Sequence, residues 1–148
     1  MKKFAANEIE RFVEAQNAPY YGSYAQALSE IRGGEKRSHW IWYIFPQLRM
    51  LSRSDIAIYY GIEDRAEALS YLQHPLLVER LREICGALLC HKQKQVETIL
   101  GCADALKLRS SMTLFDALSP DDIFAQVLDA FYQGERCDMT LKILNLKN

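Results

Sequence analysis

Little in this sequence punctuates it. Seven glycines and four prolines are scattered over 148 residues, and no Pro-, Gly- or Ser-rich linker, internal repeat or low-complexity tract divides them. One compact domain, 1–148, is the expected organisation, because a chain of this size buries roughly 68–70 % of the surface its unfolded form exposes. Charge of one sign is also missing. With a net charge of −1 the chain has no global positive field to hold a nucleic acid polymer, though local basic clusters can still bind a small anion. The longest apolar run, Trp40 to Phe45, falls far short of the ~20 residues that span a bilayer. No apolar signal core follows Met1-Lys2-Lys3. No membrane association and a cytoplasmic location are therefore expected.

The four cysteines, Cys85, Cys90, Cys102 and Cys137, contain no C-x-x-C pair, and the core needs no staples at this length. Reduced, mostly buried thiols are expected. Cys90-His91 with Cys102 is only part of a zinc set, which wants four ligands in tight pairs, so no metal is expected. The phosphate-loop and dinucleotide-binding spacings are absent, as are G-x-S-x-G and H-E-x-x-H. No cofactor is implied, and Gly33-Gly34 is accounted for as a helix stop.

What is present is helical periodicity in an ordinary globular composition, 49 % apolar and 25 % charged. Asn7 with Glu10 can cap a first helix with Ile9, Phe12 and Val13 on one face, ending near Asn17. Ser23 caps a stripe of Tyr24, Ala27, Leu28 and Ile31. Ser38 is placed to cap a short helix from His39 to Phe45 that Pro46 ends, with a strand as the rival reading. Ser54-Asp55 and Asp64 open two more helices, and His74-Pro75 precedes an amphipathic helix from Leu76 to Leu89. Val96, Ile99 and Leu100 mark a short helix stopped by Gly101, and Ala103 to Leu118 a longer one. Ser119 and Pro120 are read as cap and first position of a helix burying Ile123, Phe124, Val127, Leu128 and Phe131. Asp138 is read as the cap of the last. Sustained period-2 alternation is lacking, so the expected fold is all-α, about eight to ten short helices around one core.

Two segments carry more chemistry than packing requires. In the first, Lys36-Arg37-Ser38-His39-Trp40-Ile41-Trp42 runs to Gln47 and gathers both tryptophans. His39 can act as an acid or base, contact a ligand, or pack as a hydrogen-bonded core residue. Trp40 and Trp42 can stack on a ring or fill the core, and Gln47 is placed to hydrogen-bond a ligand amide or carbonyl. In the second segment, on a helix, Lys107, Ser110 and Ser111 project within about 100° of one another, a cation beside two hydroxyls that suits phosphate or carboxylate oxygens. The plainer alternative is a solvated flank with serines bonded to the i−4 carbonyl. Arg109 points to the far side, near Thr113 and Asp116, unless the helix begins only at Ser110; Arg109 would then lie on a loop entering an anion-binding helix start.

The stretches Arg11-Phe12-Val13-Glu14-Ala15-Gln16, Lys36 to Trp40 with Phe45-Pro46-Gln47-Leu48, Tyr71-Leu72-Gln73-His74-Pro75, and Asp104 with Lys107 to Phe115 resemble a family of small, mostly bacterial proteins. It is catalogued as domain of unknown function 1810 and is sometimes mislabelled calpastatin. Met50 and Val78 stand where similar sequences often have glycine. The resemblance implies a single helical domain and brings no established activity. The functional expectation is a pocket for a small anionic ligand, such as a nucleotide or an ADP-ribose-like compound, held by Lys36, Arg37, Ser38, His39, Trp40, Trp42, Gln47, Lys107, Arg109, Ser110 and Ser111. The alternatives are a non-catalytic protein-interaction module, and a hydrolase or transferase with His39 as its catalytic residue.

Overall fold

The computed structural model describes residues 9–146, so the expected Asn7 cap lies outside the described residues. Ten α-helices follow in order: α1 (Glu10–Asn17), α2 (Tyr24–Arg32), α3 (Ile41–Ile44), α4 (Asp55–Tyr59), α5 (Arg65–Gln73), α6 (Pro75–Leu89), α7 (Val96–Leu100), α8 (Cys102–Leu118), α9 (Ile123–Tyr132) and α10 (Asp138–Leu146). A 3-10 turn, Arg49–Leu51, lies between α3 and α4. Among the described residues the only β pairing is one parallel bridge between Leu48 and Ile62. The fold is all-α.

The helix starts show why these segments form. Ser23, Ser54 and Asp64 each accept the N–H three residues on, at 3.2, 3.2 and 3.0 Å, which satisfies donors that a helix start leaves free. Pro75 occupies the first turn of α6, where no donor is missed. The turn 119–122 departs from expectation. The Ser119 hydroxyl donates to Asp122 at 2.7 Å, Asp121 takes a left-handed φ of 60°, and Asp122 caps α9. Pro120 therefore stays in the turn. At the last helix, the Cys137 carbonyl accepts the first helical bond, from Leu141 at 3.2 Å, so Cys137 is the cap and Asp138 the first helical residue.

Helix α8 runs through the middle of the fold, packed by α3, α5, α7, α9 and α10, and every residue from Ser110 to Phe115 is buried. One core cluster joins Phe12, Trp40, Tyr43, Tyr71, Leu81, Phe115 and Phe124. Within it Arg11, 2 % exposed, pairs with Glu67 at 2.7 Å and donates to the Tyr59 and Gly61 carbonyls, each at 2.8 Å. A buried charge is tolerable only with such saturation. Gly61 is required by proximity: a Cβ there would stand 2.5 Å from the Arg49 Cα.

All four cysteines are free, but only Cys85 is buried. Cys90 ends α6 and Cys102 begins α8, and both are exposed because the chain turns there, which corrects the expectation of mostly buried thiols. No helix among the described residues is long and apolar enough to cross a membrane.

Candidate functional site

The first dense segment divides at Trp40. Its leading half is consumed by Glu30, on α2. That carboxylate accepts the backbone N–H of Arg37 at 2.8 Å and of Ser38 at 3.0 Å, the Ser38 hydroxyl at 2.7 Å and the Trp40 indole N–H at 2.9 Å. Burial alone would raise the Glu30 pKa, but these donors outweigh it and hold the carboxyl down at about 2. Ser38 thus folds back onto a residue eight positions earlier and does not cap α3, which begins only at Ile41. Lys36 lies beneath the loop, its side chain 7 % exposed, in an ion pair with Asp104 at 2.9 Å and 5.0 Å from the Trp40 ring centroid. Its backbone N–H donates to the Ile99 carbonyl at 2.7 Å. The Trp40 ring is fully buried. Lys36, Ser38 and Trp40 fasten the loop to α2 and α8, while the Arg37 side chain is exposed beside Glu35. His39 is exposed and has no hydrogen bond or ion pair among the described residues.

The trailing half opens onto a cleft of about 650 Å³. Trp42 and Gln47 line one side, Lys107, Arg109 and Ser110 of α8 another, and Leu51 to Ser54 a third, with Cys137 and Met139 at the start of α10. The two dense segments therefore do meet, through Trp42 and Gln47 and not through Lys36 to Trp40. His39 is not in the lining.

The charge of this cleft is one-sided. Arg53, Lys107 and Arg109 line it and no carboxylate does. Arg53 has no ion pair among the described residues. Lys107 reaches Asp104 only at 3.4 Å, and Arg109 reaches Glu135 only at 3.8 Å. Two buried polar atoms in its wall, Ser52 Oγ and Arg109 Nε, have no hydrogen-bond partner. The Trp42 indole N–H and the Gln47 amide are likewise uncommitted among the described residues. A pocket with unspent donors, positive charge and a half-buried indole suits an oxyanion attached to a flat ring.

Arg109 corrects the helical-wheel expectation, which set it on the far side from Lys107 near Asp116. The segment 133–137 folds back over α8, with the Cys137 N–H donating to Thr113 Oγ1 at 2.9 Å, so that both flanks of α8 face the same cleft. Asp116 is taken instead by Arg136 at 3.1 Å. Ser110 makes the plain i−4 bond to Leu106 at 3.2 Å and also faces the Cys137 sulfur at 3.4 Å. Ser111 is fully buried with no partner for its Oγ, so it belongs to the core side of α8 and not to the cleft wall.

Sequence reasoning missed Ser52, Arg53 and Cys137. A signal existed for the first two: Ser52-Arg53-Ser54 sets an arginine between hydroxyls, the composition that drew attention to Arg109-Ser110-Ser111. For Cys137, burial would raise the thiol pKa, but hydrogen bonds from the Ser110 hydroxyl and the backbone N–H groups of Thr140 and Met139 lower it below the ordinary range. The buried Thr140 hydroxyl adds to this lowering, although its geometry falls short of a full hydrogen bond.

Comparison with known proteins agrees with the fold and leaves the activity open. The crystal structure of the conserved hypothetical protein Rv1873 from Mycobacterium tuberculosis superposes with a TM-score of 0.86 at 40 % identity, covering 95 % of this chain and 99 % of that one. No curated protein matches. The family model described as protein of unknown function, DUF1810, matches residues 6–144, and the chain belongs to that family.

Proposed function

We propose that the cleft between Trp42, Lys107 and Arg53 binds a small anionic ligand carrying a flat ring, a nucleotide or an ADP-ribose-like compound. The observation that carries this reading is the imbalance of the lining: three cations and no carboxylate in a chain whose net charge is −1. Folding alone has little use for three cations converging on one concavity, two of them in long ion pairs and one in none among the described residues, whereas phosphate oxygens would neutralise them. Trp42 supplies a face for the ring and Gln47 an amide to orient it. A hydrolytic or transfer role for His39 has no support from its exposed position outside the lining. An interaction module is disfavoured by the concave, cation-lined form of the site.

Calorimetric titration with ADP-ribose, ADP and inorganic phosphate tests the reading. Lys107→Ala and Arg109→Ala should each weaken the tightest of these by about ten- to 150-fold, the loss of one charge-assisted hydrogen bond of ~1.5–3 kcal/mol. Trp42→Ala should weaken ADP and leave phosphate unchanged. Absence of binding by all three anions, or charge variants that bind as tightly as wild type, would overturn it.

A further inference from the structure

Tyr20 is 86 % exposed and Tyr21 49 % exposed, much aromatic surface to leave in water at one place. They do not stand alone. With Tyr43, Tyr60, Ala15 and Ala18 they line a recess of about 310 Å³, at the lower end of the size range of small-molecule sites. The Tyr43 and Tyr60 rings are inclined at 60° with centroids 5.2 Å apart; Tyr43 is almost wholly buried, so Tyr60 with Tyr20 and Tyr21 offers the open faces for a cation–π contact. Tyr21 is braced edge-on against Trp42 at 5.7 Å, which fixes that wall without covering it.

The polar groups of the recess decide what the guest must be. The single hydroxyl proton of Tyr43 is committed to the Gly22 carbonyl at 2.7 Å, so its oxygen can offer only lone pairs. The Glu14 carboxylate, next to Ala15 on α1, lies outside the lining but close enough to bear on the Tyr60 phenol. The Arg11 guanidinium acts on the same phenol with the opposite sign, and it is held on Glu67 at 2.7 Å. Tyrosine rings around a recess whose lining holds no charged side chain offer aromatic faces to a weakly hydrated cation.

We propose that this recess is a second binding site, for an organic ammonium cation, either a free small molecule or the methylated ammonium of a lysine side chain. It goes beyond the anion cleft and shares none of its lining residues. Calorimetric titration of the full chain with choline, and with the neutral tert-butyl analogue in which carbon replaces nitrogen, provides the test. Choline should bind saturably and the neutral analogue should not. Tyr20→Ala, at a position too exposed to support the fold, should weaken choline about two- to fivefold with an unchanged melting temperature, and Glu14→Gln should weaken it in the same direction. Lys107→Ala should leave choline binding intact, which separates this site from the cleft. A peptide carrying trimethyl-lysine, set beside its unmethylated form, distinguishes the two sources: methyl-dependent peptide binding tighter than choline assigns a protein ligand, and equal or weaker binding assigns the free cation. Equal binding of choline and its neutral analogue, binding of neither, or insensitivity to Tyr20→Ala would overturn the proposal.

Discussion

Residues 36–40 and residues 42–47 are neighbours in one motif, and the fold treats them in opposite ways. Around Glu30 the backbone N–H groups of Arg37 and Ser38, the Ser38 hydroxyl and the indole N–H of Trp40 have all found their acceptor. Across the cleft, Trp42, Gln47, Ser52 and Arg109 keep donors unspent. Density of polar and aromatic residues marks the motif as a whole. What separates architecture from a binding surface is whether the partner is already inside the molecule.

That contrast breaks most visibly at Glu30. Glu30→Ala strands the Trp40 indole and two backbone N–H groups, each at ~1–3 kcal/mol if left unsatisfied, so stability should fall by about 2–4 kcal/mol in urea denaturation. Glu30→Gln keeps the shape and should recover part of the loss. A change under about 0.5 kcal/mol would mean that the loop is not fastened there.

Acid should reproduce a milder version without mutation. The folded Glu30 pKa of about 2 lies below its ordinary value of 4.5, so its stabilisation is complete above the unfolded pKa and is lost as pH falls from the ordinary carboxylate range through about 2. Asp122, held at about 2 first by Arg82, titrates in the same window and the same direction. Allowing for solvent screening, about 2 kcal/mol of the acid dependence should vanish in Glu30→Gln. Identical pH profiles for the variant and wild type would remove Glu30 from this role.

In the cleft the effect on folding should be small. Arg53→Ala and Lys107→Ala should shift stability by no more than about 0.5 kcal/mol, since Arg53 has no ion pair among the described residues and Lys107 only a partly exposed one with Asp104 at 3.4 Å, while ligand affinity falls. A large loss of stability would make these side chains architecture after all. Smallest of all is His39→Ala, expected to leave both the melting temperature and the titration with ADP-ribose unchanged. A loss of affinity there would return His39 to the site.

The same distinction explains what could be read from the sequence. Ser23, Ser54 and Asp64 were legible as caps because each bonds a residue three positions away, and the core stripes of α2 and α6 were legible from period alone. Ser38 was misread because the cap chemistry is local and its real acceptor, Glu30, is supplied by another element. Arg109 was misplaced for a similar reason: its position on the helical wheel was right, but the segment 133–137 that brings the cleft round to it lies 24 residues or more away in sequence. Of the expected site residues, Trp42, Gln47, Lys107, Arg109 and Ser110 come together. Lys36, Ser38 and Trp40 were drawn into the core by partners no local pattern announces.

The bridge between Leu48 and Ile62 acquires a kinetic meaning once the cleft is known. Arg49 N–H to the Ile62 carbonyl at 2.7 Å and Ile62 N–H to the Gln47 carbonyl at 2.8 Å close a loop that contains Leu51, Ser52, Arg53, Ser54 and Ala57, an entire wall of the cleft. Beyond those bonds Arg11 holds the loop by the carbonyls of Tyr59 and Gly61, Leu51 and Tyr60 pack against the core, and helix α4 buries only Ala57. Such a unit opens at a lower free energy than the helices behind it. The amides of α4 should therefore exchange with solvent well ahead of those of α6 and α8, and one wall of the cleft can swing away while the core stays folded.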